Sequence, residues 1–199
     1  MSEYESGRIA VDSVIIAFYD DKLKVFLKNR EKEPYLNQLE LIGGLILNNE
    51  TAEETLKRKL IAFPEFKKTY FKQFHTFTNP NRDPRIRTIS ISFISLVKIE
   101  ESTDFYDIGS SSNLAFDHRE IINLALEYLK ENLSPLLIKH LLPNKFPLNK
   151  LQRIYELIEG IKYDNRNFRK KMINSKIVEE TNELEINVSH RPAKLFQIK

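Results

Sequence analysis

The stretch Gly44–Phe63, GLILNNETAEETLKRKLIAF, decides the fold. Just before and into it, Leu41 to Leu47 is apolar with two central glycines, Gly43 and Gly44. Such a run reads as a strand with a kink or a close backbone approach at its middle. Thr51-Ala52-Glu53-Glu54 then has the spacing of a capping box: the Thr51 hydroxyl takes the amide three residues on, and Glu54 reaches back. The helix it starts is expected to run to about Ile61, where Pro64 stops it. A glycine-bearing strand feeding a short capped helix is the piece around which the rest is arranged.

On its N-terminal side, Ile9 to Phe18 (IAVDSVIIAF) is rich in β-branched residues and reads as a buried strand. Asp20-Asp21 marks a turn, and Leu23 to Lys28 alternates apolar and polar, completing a hairpin. On the C-terminal side, Tyr70 to Thr78 and Arg87 to Ile99 read as strands, and residues 100–113, acidic and then serine-rich, as a loop. His118 to Leu133 is helical, with Ile121, Ile122, Leu124, Ala125, Tyr128 and Leu129 forming an apolar stripe. Pro143 to Pro147 is placed as a domain boundary. Beyond it come a helix over Leu148–Glu159, a helix from Asn165 to about Asn174, and a hairpin between Ile177 and Ile198. The expectation is an α/β (α+β) sandwich over 1–142 and a winged helix-turn-helix over 143–199.

The chain has 199 residues, 41% of them apolar, enough for one large or two small domains with a real core. It has no cysteine, which excludes disulfides and thiolate metal sites and fits a reducing, cytoplasmic setting. The N-terminus lacks the basic start and apolar segment of a signal peptide. No apolar run approaches the roughly 20 residues that span a bilayer, so no membrane partner is expected. Net charge is +3 but unevenly placed: residues 1–139 carry 19 Lys and Arg against 21 Asp and Glu, and residues 140–199 carry 12 against 7. A near-neutral front and a basic tail suggest that the tail faces an anion. Ordinary surface variation would also produce such an imbalance.

Gly44 is followed by five residues and Glu50, and seven more lead to Arg58. Further on stand Thr76-Phe77-Thr78-Asn79-Pro80-Asn81-Arg82-Asp83-Pro84-Arg85-Ile86-Arg87 and Leu114-Ala115-Phe116-Asp117-His118. The C-terminal part contributes Leu151-Gln152, Tyr155-Glu156, Asp164-Asn165-Arg166-Asn167-Phe168-Arg169-Lys170-Lys171 and His190-Arg191-Pro192-Ala193-Lys194-Leu195-Phe196. In order, and over nearly the whole chain, these segments resemble the Nudix-related transcriptional regulators of NAD metabolism (the NrtR type) and their sugar-responsive relatives. The resemblance implies a repressor that binds double-stranded operator DNA as a homodimer. Its Nudix-like domain would sense ADP-ribose, a related NAD metabolite, or a sugar such as arabinose. Three departures fall around the family's ligand pocket. Ile42 stands where proline is frequent, Ile86 replaces a usual glycine, and the stretch between Val97 and Leu114 is short and lacks a tryptophan.

Residues 44–60 keep the frame of a Nudix box, but Lys59, Ala62 and Phe63 stand where the enzymes carry metal-binding and base glutamates. Their hydrolysis needs Mg²⁺ to neutralise pyrophosphate and activate water, and Mg²⁺ wants oxygen ligands at about 2.0–2.1 Å. A lysine puts positive charge in the metal's place, and alanine and phenylalanine supply no oxygen. Glu53 and Glu54 have a simpler use at a helix N-terminus. The expectation is no catalytic residue, no metal, no cofactor and no enzyme activity. The rival is a residual pyrophosphohydrolase acting on ADP-ribose or a nucleotide sugar.

Arg82, Arg85 and Arg87 crowd one loop with Asp83. Arginine suits bidentate contact with phosphate, so Arg82, Asp83, Arg85, Arg87 and His118 are candidate ligand residues. A structural network of ion pairs fits the same loop, with Asp83 orienting one arginine. Asp117 is equally a helix N-cap. In the second C-terminal helix Asp164 is the cap, Phe168 and Met172 form the buried stripe, and Arg166, Arg169 and Lys170 face outward, with Asn165 and Asn167 near the end that enters a major groove. Arginine to guanine and asparagine to adenine are common base contacts. Such a helix is by default a solvated basic face; a helix before it and a hairpin after it favour recognition. Gln152, with Arg153, is expected at the DNA backbone, and His190, Arg191 and Lys194 of the wing at phosphates.

Overall fold

The computed structural model describes residues 6–66, 69–99, 104–109, 113–186 and 191–199. In chain order they form β1 (Arg8–Tyr19), β2 (Lys22–Phe26), β3 (Lys28–Asn29), β4 (Leu39–Glu40), β5 (Ile42–Leu45), α1 (Ala52–Leu60), β6 (Tyr70–Phe77), β7 (Thr88–Val97), β8 (Phe105–Asp107), α2 (His118–Glu131), α3 (Pro135–Ile138), β9 (Phe146–Pro147), α4 (Leu148–Glu159), α5 (Asn165–Asn174), β10 (Val178–Leu184) and β11 (Lys194–Ile198). None of the described helices is long and apolar enough to cross a membrane.

β1 is the axis of the first half. Along one edge it pairs in parallel with β7, from Arg8 opposite Thr88 to Ala17 opposite Val97. Its other edge is shared: Ala10 to Ser13 pair with β5, and Ile16 to Tyr19 with β2. The sheet runs β6-β7-β1-β2-β8, with β5 also on β1. Side chains of a strand alternate between faces, and β1 is apolar on both. Val11, Ile15 and Ala17 join Leu56 and Leu60 of α1 and the rings of Phe26 and Phe66. Val14, Ile16 and Phe18 join Ile121, Ile122, Ala125 and Leu129 of α2. The sheet therefore lies between α1 and α2, and the predicted sandwich is present.

The second apolar cluster does not stop at the sandwich. It continues through Leu141, Leu142, Phe146, Leu148, Leu151, Ile154, Phe168, Met172, Val178 and Phe196. α4 packs against both α2 and β2. The segment read as a boundary is itself structured: Phe146 and Pro147 form β9, which pairs with β11 and completes a three-stranded sheet β10-β11-β9. With α4 and α5 this is the expected winged helix. One expectation is corrected. Residues 100–113 were expected to be loop, yet Phe105–Asp107 forms β8 on the edge of β2. Three residues among acids and serines carry too little period to be seen in sequence.

The turn between α4 and α5 is tied by one carboxylate. α4 ends at Gly160 in the left-handed region, φ 73°, a conformation that glycine adopts without steric cost. Glu156 accepts from the Tyr163 amide at 3.1 Å, from Gln152 Nε2 at 3.1 Å and from Lys162 Nζ at 3.0 Å. The Tyr163 amide, then Gln152 and Lys162, pull its carboxyl down to about 2. Asp164 then caps α5 by accepting from the Asn167 amide at 2.9 Å.

Two outcomes are expected. Ile16 is fully buried in the centre of β1, so Ile16→Ala should lower unfolding free energy by about 2–5 kcal/mol in urea titration. Glu156 titrates near 2 in the fold against an ordinary value of 4.5. The stability it contributes is therefore full above 4.5 and lost as pH falls toward 2. Melting temperatures across that window should fall less steeply for Glu156→Gln than for the wild type; equal slopes would remove Glu156 from the account.

Candidate functional site

Of the two glycines of β5, Gly43 is held to glycine by fixed backbone beside it, whereas Gly44 faces the mobile end of a lysine. A β-carbon on Gly43 would lie 2.4 Å from both the Val11 carbonyl and Asp12 Oδ1. One on Gly44 would lie 2.2 Å from Lys59 Cε and 2.7 Å from Nζ. The lysine at the first altered acid position of the box thus lays its ammonium end against the glycine backbone. α1 has the capping box foreseen, with the Glu54 amide donating to Thr51 Oγ1 at 3.2 Å and the Thr51 amide to Glu54 Oε2 at 2.8 Å. Glu50 is also engaged. Arg58 Nε and Nη2 meet its two oxygens at 2.5 and 2.7 Å, and Thr55 donates to it at 2.7 Å. Arg58 is the first cause of its depressed pKa, about 2. Phe63 packs edge-on to Phe26 at 5.1 Å and beside Phe66 at 5.6 Å. Among the described residues no group of three or more His, Asp or Glu is placed to hold a metal. A magnesium ion of the kind the box holds in its enzymes does not fit this donor set, because Lys59, Ala62 and Phe63 offer it no carboxylate.

Beside the box opens a cleft of about 160 Å³, lined among others by Asp12, Arg30, Gly44, Arg85, Phe116 and His118. The arginines of the RDPR loop separate here. Arg82 points inward. It grips Asp117 through Nε and Nη2 at 2.8 and 2.7 Å and reaches Asp12 at 3.1 Å. It is 9% exposed, so it meets the cleft as a wall held by its own partners, which is the ion-pair reading of this loop. Ser90 donates to the same Asp12 at 2.6 Å. Arg85 lies at the rim with its guanidinium fixed by Asp83, Nε to Oδ1 at 2.9 Å and Nη2 to Oδ2 at 2.7 Å. Asp83 therefore orients Arg85, and Arg85 in turn is the first cause of its lowered pKa. Arg87 begins the approach to β7 and is not among the residues lining the cleft.

His118 does line the cleft, but it is buried. Its Nδ1 accepts from the Leu41 amide at 3.0 Å, and Nε2 faces Asp12 at 3.7 Å. Burial is the first cause that lowers its pKa, against the raising effect of Asp12, so the ring is neutral with its proton on Nε2. Asp117 occupies the N-cap position of α2 without a side-chain capping bond; Arg82 has taken its carboxylate, which corrects the capping expectation. Sequence reading missed three cleft residues. Asp12 had a signal, being the lone acid in an apolar strand. Phe116 had a partial one in the LAFDH segment. Arg30 had none. The Arg30 and Arg85 guanidiniums lie 4.7 and 5.5 Å from the Phe116 ring centre, and Arg30 is also paired with Glu40 at 2.7 Å. Both cations over this ring are thus already neutralised within the protein, Arg30 by Glu40 and Arg85 by Asp83.

The second site is the outer face of α5. Phe168 and Met172 are buried, and Asn165, Arg166, Asn167, Arg169 and Lys170 are exposed, as the period of the helix required. Gln152, expected at the DNA backbone, has its side-chain amide engaged within the protein. It is buried, and its Nε2 donates to Glu156, to the Tyr163 carbonyl at 3.1 Å and to Asn165 Oδ1 at 2.8 Å. Its work is to seat the start of α5, a role that helical period alone does not distinguish from surface contact. Arg153 donates to the Asp21 carbonyl at 3.3 Å, tying α4 to the β1–β2 turn. On the wing, Arg191 is exposed ahead of β11, Lys194 is exposed at its first residue, and His190 lies outside the described residues.

Comparison with known proteins agrees with this geometry. Residues 138–198 match the family model described as the NrtR DNA-binding winged helix domain. The ADPR responsive transcriptional repressor NtrR of Acinetobacter baylyi is 28% identical over 98% of this chain and 84% of that protein. An ADP-ribose pyrophosphatase of Methanocaldococcus jannaschii is 30% identical over 60% of this chain and 73% of that enzyme. Among solved structures, Shewanella oneidensis NrtR in complex with a 27mer DNA superposes with a TM-score of 0.81 at 28% identity, covering 96% of this chain and 93% of that one. A sandwich around an altered box, with a winged helix continuing its core, is thus matched over nearly the whole chain, and the chain is similar to the Nudix-related transcriptional regulators of the NrtR type, whose DNA-binding winged helix domain it carries at residues 138–198.

Proposed function

We propose that this protein is a ligand-responsive transcriptional repressor whose Nudix-like domain senses ADP-ribose or a related nucleotide without hydrolysing it. One observation carries the reading: the same chain joins an exposed basic recognition helix to a cleft whose box helix brings a lysine, and no carboxylate, to the glycines of β5. Residues 143–199 would read DNA, with Arg166, Arg169 and Lys170 and the amides of Asn165 and Asn167 presented to a major groove. Residues 1–142 would bind the effector and form a homodimer, because one recognition helix reads only a short half-site and a two-fold operator needs two.

The cleft favours a nucleotide diphosphate over a plain sugar. Arg30 and Arg85 offer guanidinium edges suited to phosphate oxygens, and the Phe116 ring offers a face for a flat group. Ligand sites for molecules of this size usually span about 300–1,000 Å³, so the 160 Å³ cleft must widen. Arg85, on an exposed rim, would have to leave Asp83 for the cleft to open. An effector preferring the widened state would shift the population that fits the operator. The hydrolase reading draws on the 30% identity to an ADP-ribose pyrophosphatase, and turnover decides against or for it.

Fluorescence anisotropy on duplexes from upstream of the protein's own gene should show selective binding, and Arg166→Ala should weaken it by about 1–3 kcal/mol. ADP-ribose in excess should shift the midpoint of that titration, with arabinose as the comparison. Binding equal to that of random duplex, or no response to ADP-ribose, would overturn the corresponding half of the proposal. Incubated with ADP-ribose and Mg²⁺, the protein should leave the ADP-ribose intact by chromatography. AMP and ribose 5-phosphate in catalytic amounts would restore the enzyme reading.

A further inference from the structure

The groove between α5 and the wing is already occupied by a negative group of the protein's own. Glu180 of β10 stands opposite Phe196 of β11, and directly opposed residues of an antiparallel pair share a face. Lys194, two residues before Phe196, shares it too. That face is turned to α5. The Arg169 guanidinium lies 5.1 Å from the Phe196 ring centre and its Nη2 is 2.8 Å from Glu180 Oε2. Lys194 Nζ pairs with the other oxygen, Oε1. Each carboxylate oxygen therefore takes one cation, above an aromatic floor.

We infer that this groove is a seat for a DNA backbone phosphate, and that Glu180 fills it in the DNA-free protein and competes with the phosphate for Arg169 and Lys194. The inference rests on the DNA-binding reading above and assigns within it a residue that sets affinity. Carboxylate and phosphate are bound by the same planar guanidinium geometry, so the arrangement that holds Glu180 also suits a phosphate oxygen. The seat is open: the side chains of Arg169 and Lys194 are 46% and 60% exposed. Lys194, with Arg169 beside it, holds the Glu180 carboxyl below the usual carboxylate range, so it remains ionised at neutral pH. Two cations that would otherwise draw any duplex are thus partly neutralised until a phosphate displaces the glutamate.

Phosphate contacts carry no sequence information. Glu180 should therefore weaken binding to operator and random duplex alike, leaving discrimination to the base-facing residues of α5. That restrains a repressor from settling on the large excess of non-operator DNA.

The test uses the full-length protein and its Glu180→Gln and Glu180→Ala variants, with melting temperature as a check on folding. Both variants should bind operator and random duplex more tightly, by roughly 2- to 30-fold, the range set by two exposed ion pairs. The slope of log K against log salt between 50 and 200 mM should steepen by about 0.9 for each phosphate newly neutralised. Measured against the matching single variant, the gain should shrink on an Arg169→Ala or a Lys194→Ala background and vanish when both cations are removed. Folded variants whose affinity is unchanged or lower would overturn the inference and make Glu180 a support for Arg169. A wild type that binds no duplex would instead overturn the DNA-binding reading on which the inference stands.

Discussion

Asp12 sits in a strand whose buried length is apolar but for it and Ser13, and a carboxylate there is tolerated only because Arg82, Ser90 and the edge of His118 meet it. Much of the sensor half follows from satisfying that charge. Arg82 must turn inward, which fixes the path of the RDPR loop. Its fork is completed by Asp117, which places the start of α2. Gly43 must lack a side chain so that β5 can pass the Asp12 carboxylate. Removing one partner from a buried pair of this kind costs about 3–5 kcal/mol, because the other charge is left uncompensated. The network is thus a constraint on the fold before it is part of any binding surface.

The larger elements were legible because period and punctuation are local. The capped helix after the glycines of β5, the stripe on α2, and the Phe168/Met172 face of α5 each follow from side-chain spacing, and each is present. What stayed hidden depends on partners distant in sequence. That Asp117 would spend its carboxylate on Arg82, 35 residues earlier, is not written near Asp117. Gln152 looked like one more polar residue on a helix, and only the turn to Tyr163 and Asn165 shows that its amide faces inward. β8 and β9 are three and two residues long, below the length at which alternation means anything. The cleft residues divide the same way: Asp12 was conspicuous by its surroundings, whereas Arg30 had nothing to mark it.

The two halves share material. α2 packs on the sheet through Ile121, Ile122, Ala125 and Leu129 and also meets α4, while α4 rests on β2 and reaches the β1–β2 turn through Arg153. The start of α2 is pinned at the cleft by Asp117, and α4 carries the turn that seats α5. A change at the cleft wall and a change in the attitude of the recognition helix are therefore separated by two packed helices and no flexible linker. Interiors packed at crystalline density transmit small displacements instead of absorbing them, and this is the physical route open to a signal between the two sites.

Phe63 ties the altered box to the core. At a position where the enzymes carry an acid, its ring packs against Phe26 and Phe66, within a set that also includes Phe105. A glutamate placed there would withdraw a ring from that set and gain nothing while Lys59 still lies against Gly44. A lysine exchanged first for glutamate would meet Ala62 and Phe63, neither able to share an ion. No single substitution toward an acidic box is favourable by itself, because Phe63 is held by packing and Lys59 by its place against Gly44.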